Sequence, residues 1–336
     1  MTQKEIFIVG AGRMGRGIAQ SYAVAGVPAC LVDLKDRSEG DQKKLRRAVK
    51  EEIGKDLAFA SDVGLLHTDR IEKILNNIRI TRATEKECNL SDANFIFEAV
   101  PEIIDAKKAA FEWISQHASA DAIVASTTST LNVDELAKFV TDPSRFLNAH
   151  WLNPAHLMPL VEVGVGTLTS EETFGRMKAS LLALGKVPVR CAASPGLIVG
   201  RIQALAMNEA ARLVEEGVAN AEDVDTAVRV GFGLRFAVLG LLEFIDWGGN
   251  DILYYGSQHL SRTVDPERYK VLDIVESNMK AGRNGLREGV GFYDYGDMNV
   301  DGYYHERLTS FVNLIEHLGL LPAGLRRANE DEKTSG

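Results

Sequence analysis

The sequence predicts an α/β domain built on a mainly parallel sheet, followed by an all-α domain. Three observations carry that reading. Apolar strand-like runs alternate with helical segments through the first 190 or so residues; a glycine-rich turn follows the first of those runs; and no strong strand signal appears after Ser194-Pro195-Gly196. Residues 5–10, Glu-Ile-Phe-Ile-Val-Gly, form a short β-branched and aromatic run ending in glycine, the pattern of a buried strand. A small-residue helical stretch runs to about Gly26, and residues 28–33 read as a second strand. Between Asp36 and Asn77 the chain is charged and helix-forming, with Ser61–Gly64 as the break between two helices. Strand-like runs recur at 78–82, 94–98, 122–126, 146–149, 158–163 and 187–191, with helical segments near 103–117 and 132–140. Such alternation is the signature of a sheet wrapped by helices.

Beyond this point the segments 196–216, 221–230, 236–260, 266–281 and 303–318 all have helical spacing or composition. The expected organisation is therefore a sheet domain over 1–193, a helical domain over 194–328 and a disordered polar tail over 329–336. Composition narrows the function classes. A chain of 336 residues with 45% hydrophobic and 25% charged residues suits a packed globular protein. The net charge of -9 argues against a general nucleic-acid surface. Cys30, Cys88 and Cys191 are too few and too scattered for a disulfide framework or a cysteine zinc site, which fits a reducing, cytoplasmic setting. The apolar stretch Phe236–Trp247 is interrupted by Glu243 and Asp246, so no membrane span is read, and the first residues leave no room for a secretion signal.

Gly10-Ala11-Gly12-Arg13-Met14-Gly15 fits G-x-G-x-x-G. The pattern is weak alone, but here it closes a strand and opens a helix, as its mechanism requires. Gly10 permits the tight turn, Gly12 allows a pyrophosphate to approach the backbone, and Gly15 lets helix and strand pack closely. The helix N-terminus offers free N–H groups to the anion. Asp33, ending the second strand, stands where a carboxylate would bond the adenosine ribose hydroxyls and repel a 2′-phosphate. The doubly wound, Rossmann-type fold and NAD, rather than NADP, are the expectation, with Lys35 and Arg37 as the nearby cations that argue the other way.

Among the histidines, His150 differs from the rest. It closes a strand-like run and heads His150-Trp151-Leu152-Asn153-Pro154, and the next strand-like stretch carries Glu162 in an apolar setting. A buried glutamate needs a partner, and an imidazole held by a carboxylate is a good general base near neutral pH. Oxidising a secondary alcohol by hydride transfer needs such a base. A purely structural His–Glu hydrogen bond is the competing reading; a metal site on His150 and His156 lacks the spacing and further ligands.

These motifs together resemble the L-3-hydroxyacyl-CoA dehydrogenase family over nearly the whole chain. The glycine turn, including Arg13 and Met14, resembles the family's cofactor turn. Phe97-Glu98-Ala99-Val100-Pro101-Glu102 resembles its fourth-strand motif, which implies that Ala99, Val100, Glu102 and Lys107 lie beside the cofactor. Ser126-Thr127-Thr128-Ser129-Thr130-Leu131 resembles S-N-T-S-S-L and implies that Ser129 contacts substrate and cofactor. His150 through Asn153-Pro154 to Leu160-Val161-Glu162-Val163 resembles H-F-F-N-P…L-V-E-V at the same spacing. Pro195-Gly196-Leu197-Ile198-Val199 matches the opening of the helical domain, and Gly291-Phe292-Tyr293-Asp294-Tyr295 its late G-F-Y-x-Y. The resemblance implies His150 as base, Glu162 as its orienting acid, Ser129 on the reacting oxygen, Asn153 near the substrate, and a homodimer through the helical domain.

Two departures from the family pattern bear on substrate. Gly200 stands where the family has an asparagine near the reacting oxygen; its loss removes transition-state stabilisation on the order of 1–3 kcal/mol or makes room for a bulkier substrate. The segment Gly231-Phe232-Gly233-Leu234-Arg235 through Glu243 is closer to the free-acid branch, the carnitine and L-gulonate dehydrogenases, where Arg235 would pair with a substrate carboxylate or simply make an interface salt bridge. The approach Gly285–Val290 into Gly291 favours the acyl-CoA branch. The expected function is thus NAD-dependent oxidation of a short 3-hydroxyacyl-CoA. A free 3-hydroxy acid is the second reading, and an NAD-binding structural or sensing module the third. No metal, nucleic-acid or membrane partner is expected.

Overall fold

The computed structural model describes residues 4–86 and 88–325, so the tail expected over 329–336 lies outside the described residues. The chain folds into two units, one ending at Ala206 and the other beginning at Met207. In order, the first unit contains β1 (Ile6–Val9), α1 (Arg13–Val24), β2 (Ala29–Asp33), α2 (Glu39–Asp62), α3 (Arg70–Asn76), β3 (Ile78–Arg82) and β4 (Phe95–Glu98). It continues with α4 (Ile104–His117), β5 (Ile123–Ser126), α5 (Val133–Leu136), β6 (Phe146–Trp151), β7 (Leu160–Val165), α6 (Glu171–Ala183) and β8 (Val187–Ala192). Then α7 (Val199–Glu215) runs from this unit into the next.

The strands form one sheet in the order β3-β2-β1-β4-β5-β6-β7-β8. The first six follow the 3-2-1-4-5-6 order of dinucleotide-binding sheets, whose ligands sit beyond the carboxyl ends of the strands. All the pairings are parallel except β6–β7, which is antiparallel. Every residue of β1 and β2 is buried, as expected of parallel strands covered on both faces. One apolar layer contains Ile8, Ile18, Leu31, Phe97, Trp151 and Val161; the other contains Val9, Val32, Ile96, Phe111 and Phe146. Tyr22, Phe97 and Trp151 meet ring to ring in the first layer, with centroids 5.7–6.4 Å apart.

The second unit adds α8 (Ala221–Ala227), α9 (Gly233–Val238), α10 (Leu241–Gly248), α11 (Asn250–Thr263), α12 (Asp273–Lys280) and α13 (Val300–His317). A π-helical turn at Val228–Phe232 joins α8 to α9. The helical segment expected over 236–260 is three helices. Leu239 is extended between α9 and α10, and Gly249, at φ 105, separates α10 from α11. Helix α6 was not anticipated from the sequence, although Ser170 caps it by accepting from the Thr173 N–H and Glu171 and Glu172 fill its first turn.

One carboxylate organises the end of this unit. Asp246, 1% exposed on α10, accepts the N–H groups of Phe292 and Tyr293, each at 2.9 Å, and the Tyr295 hydroxyl at 3.0 Å. Gly285 and Gly291 are required beside it, because a Cβ at either would strike Asp246 itself. Asp246→Ala leaves three donors without their acceptor and is expected to destabilise the helical unit by about 2–4 kcal/mol, read as a lower unfolding midpoint in urea. An unchanged midpoint would show that the 291–295 segment does not need this anchor.

Candidate active site

The glycine turn follows from backbone crowding. Gly10 has φ 118, its N–H donates to the Val32 carbonyl at 2.9 Å, and a Cβ on it would strike the Ala99 carbonyl. A Cβ on Gly15 would strike the Gly10 carbonyl. Gly12 faces open space and precedes α1 without a side-chain cap, so the helix's first N–H groups are left for an anion. Arg13 is exposed at this helix start and Met14 packs onto the core. Asp33, 6% exposed, accepts from the Lys35 N–H at 3.3 Å and Arg37 Nε at 2.6 Å. Each carboxylate oxygen has a second lone-pair direction, so these bonds leave room for a ribose diol. A backbone cradle that excludes side chains, uncapped helix amides and a carboxylate at the end of β2 fit a dinucleotide.

Beyond β4 and β5 lies a buried charge network. Lys107, on α4 and wholly buried, donates to both oxygens of Glu98 at 2.9 and 3.0 Å and lies 3.2 Å from Glu102 Oε2. Ser126 Oγ also donates to Glu98, at 2.7 Å, and Val100 N–H at 2.9 Å. Burial pushes the Glu98 carboxyl up, with Lys107 opposing it. Burial also raises Glu102, but the Thr128 hydroxyl, Lys107 and the Thr130 N–H outweigh it and hold Glu102 at about 2. Glu102 accepts from Thr128 Oγ1 and from the N–H groups of Ser129 and Thr130, both at 3.2 Å. The loop carrying exposed Ser129 is thereby fixed to the end of β4. Ala99 N–H donates to the Val9 carbonyl at 2.8 Å, which sets Ala99 and Val100 against the glycine turn. Lys107 is therefore not open to solvent; it acts on this loop through Glu98 and Glu102.

His150 and Glu162 are direct cross-strand partners in the antiparallel β6–β7 pair, so their side chains share a face. His150 Nδ1 lies 2.7 Å from Glu162 Oε2, with the residues 8% and 0% exposed. Glu162 Oε1 accepts two further bonds, from Ile198 N–H at 2.8 Å and Val199 N–H at 2.9 Å. With the carboxylate as acceptor, Nδ1 is the donor of this bond and Nε2 lies on the far side of the ring from Glu162. Two residues before His150 on the same face, Asn148 Nδ2 donates to the Thr128 carbonyl at 3.0 Å, tying the Ser129 loop to this strand. After the strand, buried Lys186 donates to the carbonyls of Ala155 and Met158 at 2.7 and 2.8 Å and holds the segment containing Asn153. Asn153 is exposed and shares a cleft of about 330 Å³ with Arg13, Arg16 and His156.

Gly200, the second residue of α7, has nothing within 4 Å of a would-be Cβ, so the backbone there does not itself require glycine. Arg235 lies on α9 with its guanidinium 5.6 Å from the Phe244 ring centroid. In the basic stretch of α2, Lys44, Arg46 and Arg47 pair with Asp41, Glu85 and Glu51. Among the described residues, no group of three or more His, Cys, Asp or Glu side chains could hold a metal, and no helix is long and apolar enough to cross a membrane. Sequence reading did not single out Glu98, Asn148, Lys186 or the Ile198 and Val199 amides. A charge ending the apolar run Phe95-Ile96-Phe97 was the available signal for Glu98; the amides, being backbone, carry none.

Fold and site define an NAD-dependent oxidoreductase acting on a CH–OH group. Residues 5–194 match the model for the 3-hydroxyacyl-CoA dehydrogenase NAD-binding domain, and residues 196–295 match that for the C-terminal domain. The chain belongs to the 3-hydroxyacyl-CoA dehydrogenase family. It is 32% identical over 296 residues to a "Probable 3-hydroxybutyryl-CoA dehydrogenase" of Bacillus subtilis, covering 88% of this chain and 98% of that one. Among solved structures it resembles a 3-hydroxyacyl-CoA dehydrogenase of Archaeoglobus fulgidus, with TM-score 0.76, 31% identity and coverage of 95% and 100%. It also resembles a 5-formyl-3-hydroxy-2-methylpyridine 4-carboxylic acid 5-dehydrogenase, an NAD+-dependent dismutase, with TM-score 0.66, 27% identity and coverage of 94% and 99%.

Asp33→Ser removes the acid at the end of β2 and frees Arg37. The expected result is a tenfold or greater rise in KM for NAD together with measurable use of NADP, in steady-state assays with both cofactors. Unchanged preference for NAD would remove Asp33 from cofactor selection.

Proposed function

We propose that the chain catalyses the reversible oxidation of the 3-hydroxyl of a short L-3-hydroxyacyl-CoA thioester. The observation that carries this reading is the buried cross-strand pair, whose 2.7 Å bond at Nδ1 orients His150 with Nε2 on the far side of the ring from Glu162. The bound nicotinamide would accept the hydride from C3. His150 Nε2 takes the hydroxyl proton, and Glu162 stabilises the imidazolium that forms. Ser129 hydrogen-bonds the same oxygen and holds the alcohol in an attack-ready pose. Gly10, Gly12, Gly15 and the start of α1 at Arg13 and Met14 hold the pyrophosphate; Asp33 holds the adenosine ribose; Ala99, Val100, Glu102 and the Lys107 network support the nicotinamide side. Asn153 and Gly200 border the substrate.

The working unit in this reading is a homodimer formed through the helical unit. Helices α7 and α13 have no buried residue, and Met207, Leu308 and Val312 are exposed along them. Amphipathic helices of such length bury an apolar stripe, and a second copy of the same chain supplies the cover.

A second reading keeps the chemistry but takes a free hydroxy acid, with Arg235 as the carboxylate clamp. It is favoured by the segment from Gly231 to Glu243, which resembles the free-acid branch, and by the solved relative named for a carboxylic acid. NADH absorbance followed with acetoacetyl-CoA, acetoacetate and 3-dehydrocarnitine separates the two. Turnover of the thioester alone supports the first reading and turnover of the free acids alone the second. With the preferred substrate, His150→Gln is expected to lower kcat by about 10²–10⁴-fold with NAD affinity nearly unchanged. Wild-type rates in this variant rule out the base.

A further inference from the structure

The turn that opens α7 is built in an uncommon backbone conformation. Gly196 has φ 74, and Leu197, a bulky branched residue, has φ 49, alone among the described non-glycine residues in taking a positive φ. Side chains other than glycine seldom occupy this region, and they persist there only where the surroundings over-determine them. Two contacts do so here. The Leu197 side chain is buried over Gly164, where a would-be Cβ would lie 3.3 Å from Leu197 Cδ2. The next two N–H groups, of Ile198 and Val199, converge on Glu162 Oε1. Gly164 pairs with Asn148 across the strands and lies two residues from Glu162, so seat and acceptor occupy one face of β7.

Successive N–H groups aimed at one point, at the start of a helix, make an anion-binding concavity. Its anion is a side chain of the same unit, the one that holds His150. Val199 is the first residue of α7, a position whose N–H has no intrahelical acceptor, so its amide is free to serve Glu162. Without these donors the Glu162 carboxylate loses its second set of partners, and His150 alone fixes its direction.

We propose that the Gly196-Leu197 turn is a positioning device for the catalytic pair: the backbone amides of Ile198 and Val199, set by Leu197 seated over Gly164, fix the Glu162 carboxylate and through it the direction of His150 Nε2. The inference rests on the reading of His150 as the base. Ile198 and Val199 are positioning residues, acting through Glu162 and touching no reacting atom.

Proline tests it, because it deletes the Val199 amide hydrogen at a helix position that tolerates proline. With the substrate the enzyme turns over best, Val199→Pro is expected to lower kcat about ten- to a hundredfold, with the substrate KM and the NAD dissociation constant within about threefold of wild type. Val199→Ala, which keeps the amide, stays within about threefold. In a Glu162→Ala background the proline substitution costs less than about twofold further, since the acceptor is already gone. Equal kcat for the proline and alanine variants, or the full loss persisting without Glu162, overturns the proposal. If the proline variant does not fold, Leu197→Ala approaches the device from the other side: it empties the seat over Gly164 and lowers kcat, while Leu197→Met, which refills the seat, stays within about threefold of wild type. Wild-type kcat in Leu197→Ala also overturns the proposal. Loss of turnover in His150→Gln with no effect of these variants removes only the positioning device; wild-type turnover in His150→Gln removes the underlying reading itself.

Discussion

The arrangement depends on satisfying one fully buried carboxylate. Glu162 has no exposed surface, and an uncompensated charge in such a place is costly. Its bonds are all made by groups that have little freedom: His150 from the neighbouring strand and two amides from the start of α7. Replacing any one of these changes the others, because one carboxyl group is the common acceptor. The antiparallel insertion of β7 into an otherwise parallel sheet is what makes the arrangement possible. It returns the chain beside β6 so that residues 150 and 162 stand opposite each other.

The parallel part of the sheet does different work. Its strands all end on one side, and their ends bring together the glycine turn, Asp33, the Glu98–Glu102 segment and the Ser129 loop. Backbone cannot be exposed at such a rim without order, and the Glu98–Lys107 pair supplies it from below. Lys107 gains Glu98 and Glu102, Glu102 gathers three successive residues of the Ser129 loop, and Asn148 joins that loop to the strand of His150. The Ser129 loop and the His150–Glu162 pair are thus parts of one hydrogen-bonded framework.

The same logic recurs away from the site. Asp246 gathers the N–H groups of Phe292 and Tyr293 as Glu162 gathers those of Ile198 and Val199. In each case a buried acid fixes an irregular segment whose own backbone donors lack helix or strand partners. In the sequence the first segment shows as a helix start at Ser194-Pro195-Gly196 and the second as the resemblance of Gly291–Tyr295 to a family motif, and neither displays the acid that it meets.

Much of this was legible in the residues. The alternation of apolar and helical segments indicated the sheet unit, and G-x-G-x-x-G between strand and helix indicated the dinucleotide turn. Both are local signals, carried by spacing along a few neighbouring positions. The helical breaks at Leu239 and Gly249 and the whole of α6 were harder to read, because composition there suits helix continuously or has no strong apolar period. The sequence determined which side chains were available: one histidine and one glutamate on consecutive strands, twelve positions apart. Only the tertiary structure decided that those strands pair antiparallel in the register that sets the two face to face, and that main-chain amides complete the acid's coordination. Register is a relation between distant segments, and an amide is common to nearly every residue, so neither leaves a mark in the order of side chains.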